Sequence, residues 1–540
     1  MAAKRVRELL FPAAGELALS VASGVLLVLS FPDFNWWPLA WIALAPLMLA
    51  TLRSARLAHA LMDGWIAGTV FFYGSCYWIT YSMIHYGGLP RWVAYSLLLL
   101  ASAIVGLFTG FFALALSFVL RRYSRAHWMF AAPFLWAAFE FVRLAVAGQL
   151  WNAVGYSQAY VPDLIQVARY GGVYAVGFLI VLVNSAVVYV WLARSRRAFI
   201  ISSVVVTAVF TIIISLVPRQ EPERVRDAQV GAVVIGIQAN VPMAMDRSSA
   251  QMEALLERHL LLSRRALESA AEIYPPHVPR VVVWSESPMN FAYARDFAFR
   301  SVVTDFARRH QTSMIFNSLE PAPKDGAYNS AMMIDEQGRL VTQYDKIRLL
   351  PFGEYVPIPK WLPGAGFVTA IVGDFTPGEK YPLLPIGQLR AGAFICIESA
   401  FPEVTRAFAR QDVDFLINIS NDGYLGPTPV LRQHLANVVF RAVETNRRIL
   451  RVTNTGLTAD VDARGGVRDV TAAFQTAVRV WPIARSREAQ TFYTRYGDLF
   501  AYLCVGASVL LFASAARFTR RSPQALIYHP NSSQAKETSL

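Results

Sequence analysis

Eight stretches of this sequence are too long and too apolar to belong to an ordinary soluble protein. Seven precede residue 218, at about 17–31, 39–52, 64–84, 93–120, 128–146, 173–192 and 199–217, and the eighth covers 499–516. Most approach or exceed the ~20 residues that cross a bilayer core. The chain is 55% hydrophobic, above ordinary globular usage, and buried helices of a large soluble protein do not account for eight such runs. The first two runs are short, and "FPDFNWWPLAW" between them reads as an interfacial turn with an aromatic belt. A polytopic membrane protein is expected.

Lysine and arginine set its orientation. Lys4, Arg5 and Arg7 precede the first run; Arg53 and Arg56 follow the second; Arg121, Arg122 and Arg125 follow the fourth. Arg194, Arg196 and Arg197 follow the sixth, and Arg517, Arg520 and Arg521 follow the eighth. If all eight runs cross, every cluster falls on one side, which the positive-inside rule makes cytoplasmic. The expected organisation is a membrane domain of seven transmembrane helices over 1–218 and an extracytoplasmic domain over 219–496. An eighth transmembrane helix over 497–518 and a cytoplasmic tail over 519–540 complete it. The basic start of the first run lacks a small-residue cleavage site and reads as an uncleaved anchor. The net charge of +13 is largely this topology signal. No soluble stretch carries the basic face that a nucleic-acid partner would need. Of the three cysteines, Cys76 and Cys504 fall in apolar runs, so no disulfide framework is expected.

Between 219 and 496 the pattern changes to short β-branched runs alternating with amphipathic stretches. "VGAVVIGIQANV", "RVVVWSES", "TSMIFNSL", "AGAFICIES", "DFLINIS" and "ILRVTNTGLTADV" read as strands. Their near-continuous apolarity suggests strands covered on both faces. "AYNSAMMIDEQGRLVTQYDKI" reads as a hairpin turning at 336–338, and helical patterns cover about 248–273, 296–310, 402–410 and 430–446. The fold class is α/β, two sheets with helices outside.

Three strand ends carry reactive groups: Glu286 in "VVVWSESP", Lys346 in "YDKIRLLPFGEYVP" and Cys396 in "AFICIES". A thiol needs a base to become a thiolate, because free cysteine is only a few per cent ionised at neutral pH. A carboxylate in an apolar site can be that base, and a lysine ammonium can stabilise the thiolate and an oxyanion. Each residue alone also has a plain reading, Glu286 and Lys346 as surface charges and Cys396 as core. The chemistry requires all three together.

"WSES", "YDKIRLLPFGEYVP" and "FICIES", in this order, resemble the Glu–Lys–Cys signature of the nitrilase superfamily of carbon–nitrogen hydrolases. With the apolar runs around them, the arrangement resembles the apolipoprotein N-acyltransferase family, bacterial membrane enzymes that complete lipoprotein acylation. "IQANVP", "DFTPGE", "LINISNDGYLGPTP", "RVTNTGLTA" and, after the fifth run, "LWNAVGYSQ" match further. The resemblance implies an αββα sandwich with Glu286 as general base, Lys346 as thiolate and oxyanion stabiliser and Cys396 as nucleophile. It implies that Glu354 orients the lysine or the incoming amine, and that Glu398 is a further functional acid. Trp151 lies in the family's membrane-side arm. Ile397, Met245, Tyr424 and Leu425 stand where the family usually has Tyr, Trp, Trp and Phe, positions expected to bear on acyl-chain and lipoprotein contacts.

The resemblance also implies why the membrane is needed. The acyl donor would be a phospholipid, typically phosphatidylethanolamine, and the acceptor the α-amine of a diacylglyceryl apolipoprotein, joined through a thioester in a ping-pong scheme. The expected location is the bacterial inner membrane, with a monomer, no cofactor and no metal site. A membrane-tethered amidase on a small amide, a dead scaffold, and a transferase to another acceptor are the alternatives. Glu140 and Arg143 in the fifth run read equally as a structural ion pair or a functional pair. Asp63 and His85 read as interfacial and His434 as structural.

Overall fold

The second apolar run does not form one helix. In the computed structural model it is a 3-10 turn (Trp37–Leu39), a short helix (Ala40–Ala43) and a second helix (Ala45–Arg53), broken at Leu44. Residues 11–123, 126–218, 230–244, 247–286, 289–323, 326–351, 353–355, 375–486 and 488–517 are described by the structure. They fall into two units, Met1–Val217 with Asp498–Leu540, and Pro218–Gly497.

The helical unit contains α1 (Ala14–Ser30), α2 (Ala45–Arg53), α3 (Leu57–Ser75), α4 (Arg91–Tyr123), α5 (Ala132–Ala147), α6 (Ala168–Ala193), α7 (Arg196–Leu216) and a C-terminal helix, Leu499–Ala516. Five helices among the described residues are long and apolar enough to cross a membrane: Arg91–Tyr123, Ala126–Ala147, Ala168–Ala193, Arg196–Leu216 and Leu499–Ala516. Ala14–Ser30 and Trp37–Arg53 are shorter. The run at 64–84 is also divided, α3 ending at Ser75 and a separate helix, Ile79–His85, following.

The break at Leu44 is repaired from another helix. Asn184 of α6 accepts from the backbone N–H groups of Leu44 at 2.9 Å and Ala45 at 3.0 Å. Its amide donates to the carbonyls of Ala40 at 3.0 Å and Ile180 at 2.9 Å. Without water in a bilayer core, broken backbone must be satisfied from within the protein. α3 and α4 approach through Gly64 and Gly68 on one side and Gly106 and Gly110 on the other. A Cβ on Gly68 would lie 2.8 Å from the Gly106 carbonyl oxygen. This is the small-residue packing that lets apolar helices associate in lipid. Asp63 of α3 is fully buried and accepts from the hydroxyls of Ser20 at 3.1 Å and Ser54 at 2.6 Å, so it sits inside the helix packing and not at an interface.

The second unit is built on two six-stranded sheets. The first runs β12–β1–β2–β3–β4–β5 and the second β11–β10–β9–β8–β7–β6. Their strands are β1 (Ala232–Gln238), β2 (Arg280–Trp284), β3 (Ser313–Pro321), β4 (Ala327–Ile334), β5 (Leu340–Asp345), β6 (Leu384–Ile386), β7 (Leu389–Ile395), β8 (Phe415–Ser420), β9 (Arg448–Thr453), β10 (Ala459–Val461), β11 (Val467–Arg468) and β12 (Ala477–Ile483). β1, β2 and β3 are parallel, as are β7, β8 and β9, and the remaining pairs are antiparallel. β4 and β5 form the hairpin, with Gly338 at φ +73° in its turn. The inner faces meet at Gly236, where a Cβ would touch Val452 and Trp481. α8 (Ser249–Ile273) and α9 (Phe297–His310) go with the first sheet; α10 (Pro402–Ala409) and α11 (Val430–Thr445) go with the second. Val233, Ile235, Trp284, Phe299, Phe306 and Phe316 form the centre of one buried cluster. The parallel strands place their C-terminal ends together, where α/β folds put functional groups.

Replacing Asn184 with Leu removes the three bonds at the helix break, to Leu44, Ala45 and Ala40. Each backbone group left unpaired costs about 1–3 kcal/mol. Thermal unfolding of purified Asn184→Leu in detergent should therefore show a clear drop in midpoint; an unchanged midpoint would refute the repair.

Candidate functional site

Lys346 follows β5 directly and is almost entirely buried, at 1% exposure. Its Nζ donates to Glu354 Oε1 at 2.8 Å and lies 3.6 Å from Glu286 Oε1. Burial works against the ammonium, but the carboxylates of Glu354 and Glu286 outweigh it and hold its pKa above the usual lysine range. Lys346 is therefore a fixed positive charge.

The two carboxylates are fixed in turn. Asn329 of β4 donates through its side-chain amide to Glu286 Oε1 at 2.9 Å and to Glu354 Oε1 at 2.8 Å. Asn317 of β3 orients that carboxamide, donating to Asn329 Oδ1 at 2.7 Å. Glu286, two residues beyond β2, also accepts from the backbone N–H of Asn421 at 3.0 Å. Glu354 accepts from the backbone N–H of Leu350 at 2.7 Å.

Cys396 ends β7 and opens a 3-10 turn, Cys396–Ala400. Its φ of +52° is left-handed, a conformation that costs a residue with a Cβ roughly 1–2 kcal/mol. Burial pushes the thiol well above its usual pKa, and the Glu286 carboxylate pushes it further, against the opposing pull of Lys346. The resting group is therefore S–H, beside both a carboxylate and an ammonium.

Glu398 ties the cysteine turn to the lysine loop. It is fully buried and accepts from the backbone N–H groups of Ile395 at 2.7 Å, Ile347 at 2.7 Å and Arg348 at 3.1 Å, and from the Tyr344 hydroxyl at 2.7 Å. Burial pushes its carboxyl up to about 7, against the pull of the backbone N–H of Ile395, the Tyr344 hydroxyl and the backbone N–H of Arg348. Glu398 is thus a buried carboxyl shared by two loops.

The sequence-derived positions divide. Glu286, Lys346, Cys396, Glu354 and Glu398 converge. Ile397 is half-buried on the cysteine turn; Tyr424, exposed, and Leu425, half-buried, occupy the turn Gly423–Leu425 after β8. Met245 and Phe352 of "PFGEYVP" lie outside the described residues. Trp151 is buried in the helical unit, its ring 5.5 Å from that of Trp78. There Arg143 donates to the Trp151 carbonyl at 2.9 Å, and Glu140 accepts from the Val154 N–H at 2.8 Å. The two charges of α5 thus bind the backbone of the "LWNAVGYSQ" turn. Asn329 and Asn421, which hold the carboxylates, are not singled out by the sequence, and His434 reads there as structural. His434 donates from Nε2 to the Cys396 carbonyl at 2.9 Å; the one available signal was polar residues inside apolar strands and helices. Among the described residues, no three His, Cys, Asp or Glu side chains are grouped as metal ligands.

Two measurements test this electrostatic arrangement. Asn329→Asp would set a third carboxylate against Glu286 and Glu354 and should reduce any activity at Cys396 about tenfold or more, a repulsion of 1.4 kcal/mol sufficing; wild-type activity would show the bridge to be dispensable. Alkylation of Cys396 by iodoacetamide should rise close to about tenfold per pH unit between about pH 7 and 9, following the small thiolate fraction. A plateau below pH 8 would mean a preformed thiolate.

Comparison with known proteins fits both units. The family described as apolipoprotein N-acyltransferase N-terminal domain matches residues 23–186, and carbon–nitrogen hydrolase matches 237–487. An apolipoprotein N-acyltransferase of Geobacter metallireducens is 34% identical over 511 residues, covering 92% of this chain and 95% of its own. Those of Nitrosomonas europaea and Thermotoga maritima are each 29% identical, covering 94% and 93% of this chain and 98% and 95% of their own. With both units matched in order and nearly end to end, the chain belongs to the apolipoprotein N-acyltransferase family.

Proposed function

We propose that this protein transfers a fatty acyl chain from a membrane phospholipid to the α-amine of a lipid-modified N-terminal cysteine of an apolipoprotein, through a thioester on Cys396. The observation that carries this reading is the buried Lys346 ammonium, held between Glu286 and Glu354 and acting electrostatically on the Cys396 thiol.

In the first half-reaction Glu286 takes the thiol proton as the sulfur attacks the ester carbonyl carbon of the donor. The oxyanion forms beside Lys346. As the C–O bond breaks, the leaving glycerol oxygen takes the proton back from Glu286, giving lysophospholipid and an acyl-thioester. In the second, Glu286 takes a proton from the attacking amine, whose reference pKa near 8 makes modest help sufficient. The C–S bond breaks, the amide forms, and the proton passes to the leaving sulfur. Because the resting thiol is protonated, the base and not the lysine starts the reaction.

Glu354 holds the lysine in place and Glu398 supports the turn. Ile397, Tyr424 and Leu425 are assigned to the acyl chain or the lipoprotein, as are Met245 and Trp151 on the resemblance alone. Phosphatidylethanolamine is the assigned donor, and the protein acts as a monomer without a cofactor. In the proposed topology the catalytic unit faces away from the cytoplasm and both termini face it, in the bacterial inner membrane. Apolar walls would keep water from the thioester.

The test uses detergent-purified protein, acyl-labelled phosphatidylethanolamine and a diacylated lipopeptide with a free N-terminus. Mass spectrometry should find the label first on Cys396 and then on the lipopeptide amine, and Cys396→Ala should lose both while remaining folded. Label discharged only to water would assign a hydrolase. No labelled cysteine in folded protein would refute this donor, and transfer by Cys396→Ala would refute the nucleophile.

A further inference from the structure

The left-handed turn at Cys396 has a dedicated brace. The carbonyl of Cys396 accepts from His434 Nε2 at 2.9 Å, and that of Ser399 from Arg441 Nη1 at 3.3 Å, both from α11. A carbonyl can only accept, so Nε2 carries the hydrogen. On the other side of the ring, Nδ1 lies 2.9 Å from Asp422 Oδ1 and 3.1 Å from Arg451 Nη2, a nitrogen that also donates to Asp422 Oδ2 at 2.8 Å. Ring, carboxylate and guanidinium are at most 2% exposed.

The same carboxylate takes a third partner. The Ser420 hydroxyl donates to Asp422 Oδ1 at 3.1 Å. Asp422 is linked to the Cys396 carbonyl through His434. Burying such a charged chain carries a desolvation cost that simple packing would avoid. What it provides is one N–H aimed at one carbonyl.

We propose that His434 is a positioning residue for the reaction at Cys396: its Nε2–H, aimed by Asp422 and Arg451, fixes the turn and so the direction in which the thiol faces Glu286 and Lys346. The inference rests on the reading of Cys396 as nucleophile. His434 touches no substrate; it acts through the backbone of the residue that does.

The test compares full-length wild type, His434→Ala and His434→Gln in detergent. Gln can present an N–H near the position of Nε2. Two rates are read: acylation of Cys396 from acyl-labelled phosphatidylethanolamine, and alkylation of Cys396 by iodoacetamide, which needs neither donor nor acceptor. His434→Ala should slow both about 10- to 100-fold, the scale of a nucleophile displaced by about 1 Å. The loss should fall on kcat, with KM for the phospholipid unchanged, and His434→Gln should recover part of it. Wild-type rates in folded His434→Ala overturn the proposal, as does a His434→Gln that is folded yet no faster than the alanine variant. Should His434→Ala not fold, Asp422→Asn, which keeps the ring but loses its aim, decides by the same two rates. If wild type alkylates at Cys396 but never takes an acyl group, the nucleophile reading fails separately. The alkylation rates then still decide whether His434 sets the thiol.

Discussion

Lys346 carries its charge almost without water, and a charge taken out of water costs several kcal/mol unless geometry and hydrogen bonds compensate it. The compensation comes from two carboxylates on different parts of the chain, Glu286 after β2 and Glu354 in the loop beyond β5. Two anions around one cation leave a negative excess. The Asn329 amide, bridging both, and the backbone N–H groups of Asn421 and Leu350 spread that excess. Burial does most to raise the thiol, and the excess adds to it, the Glu286 carboxylate pushing the same way against the pull of Lys346. Ammonium, carboxylates and thiol form one electrostatic arrangement.

The helical unit is held by different forces. Apolar helices in lipid gain little from apolar contact with each other, so close approach and buried polar bonds carry their packing. The glycines of α3 and α4 supply the approach. Asn184, Asp63, Glu140 and Arg143 supply the polar bonds, and three of these four bind backbone directly. The Cys396 unit relies instead on conventional burial between sheets and helices.

How legible this was in the sequence depends on what kind of signal each residue left. Glu286 and Cys396 each follow a strongly apolar strand and Lys346 a mixed one, and all three lie inside distinctive motifs, so their convergence could be anticipated. The β4–β5 hairpin and the two-sheet class follow from alternation and turn residues. Asn329 left only a polar letter in an apolar strand, and its meaning depends on register with β3 and on loops far along the chain. His434 reads as one polar residue of a buried helix, because its target is a backbone carbonyl and backbone has no sequence. The break at Leu44 leaves one mark, Pro46, which has no N–H to continue a helix from the preceding turn; the group that repairs the broken backbone, Asn184, is in another helix and leaves none. Hydropathy also assigns no special weight to the spacing of Gly64, Gly68, Gly106 and Gly110, although it is their missing side chains that bring two helices together.

Glu398 has a consequence for how this site can change over time. Its one carboxylate takes donors from Ile395 on the cysteine side and from Ile347 and Arg348 on the lysine side. A backbone shift in either loop is therefore transmitted to the other through a shared carboxyl group. Substitutions in the two loops will not add independently, and a change harmful in one becomes tolerable only with a matching change in the other. Two segments distant in the chain are thereby constrained to drift as a single inherited block.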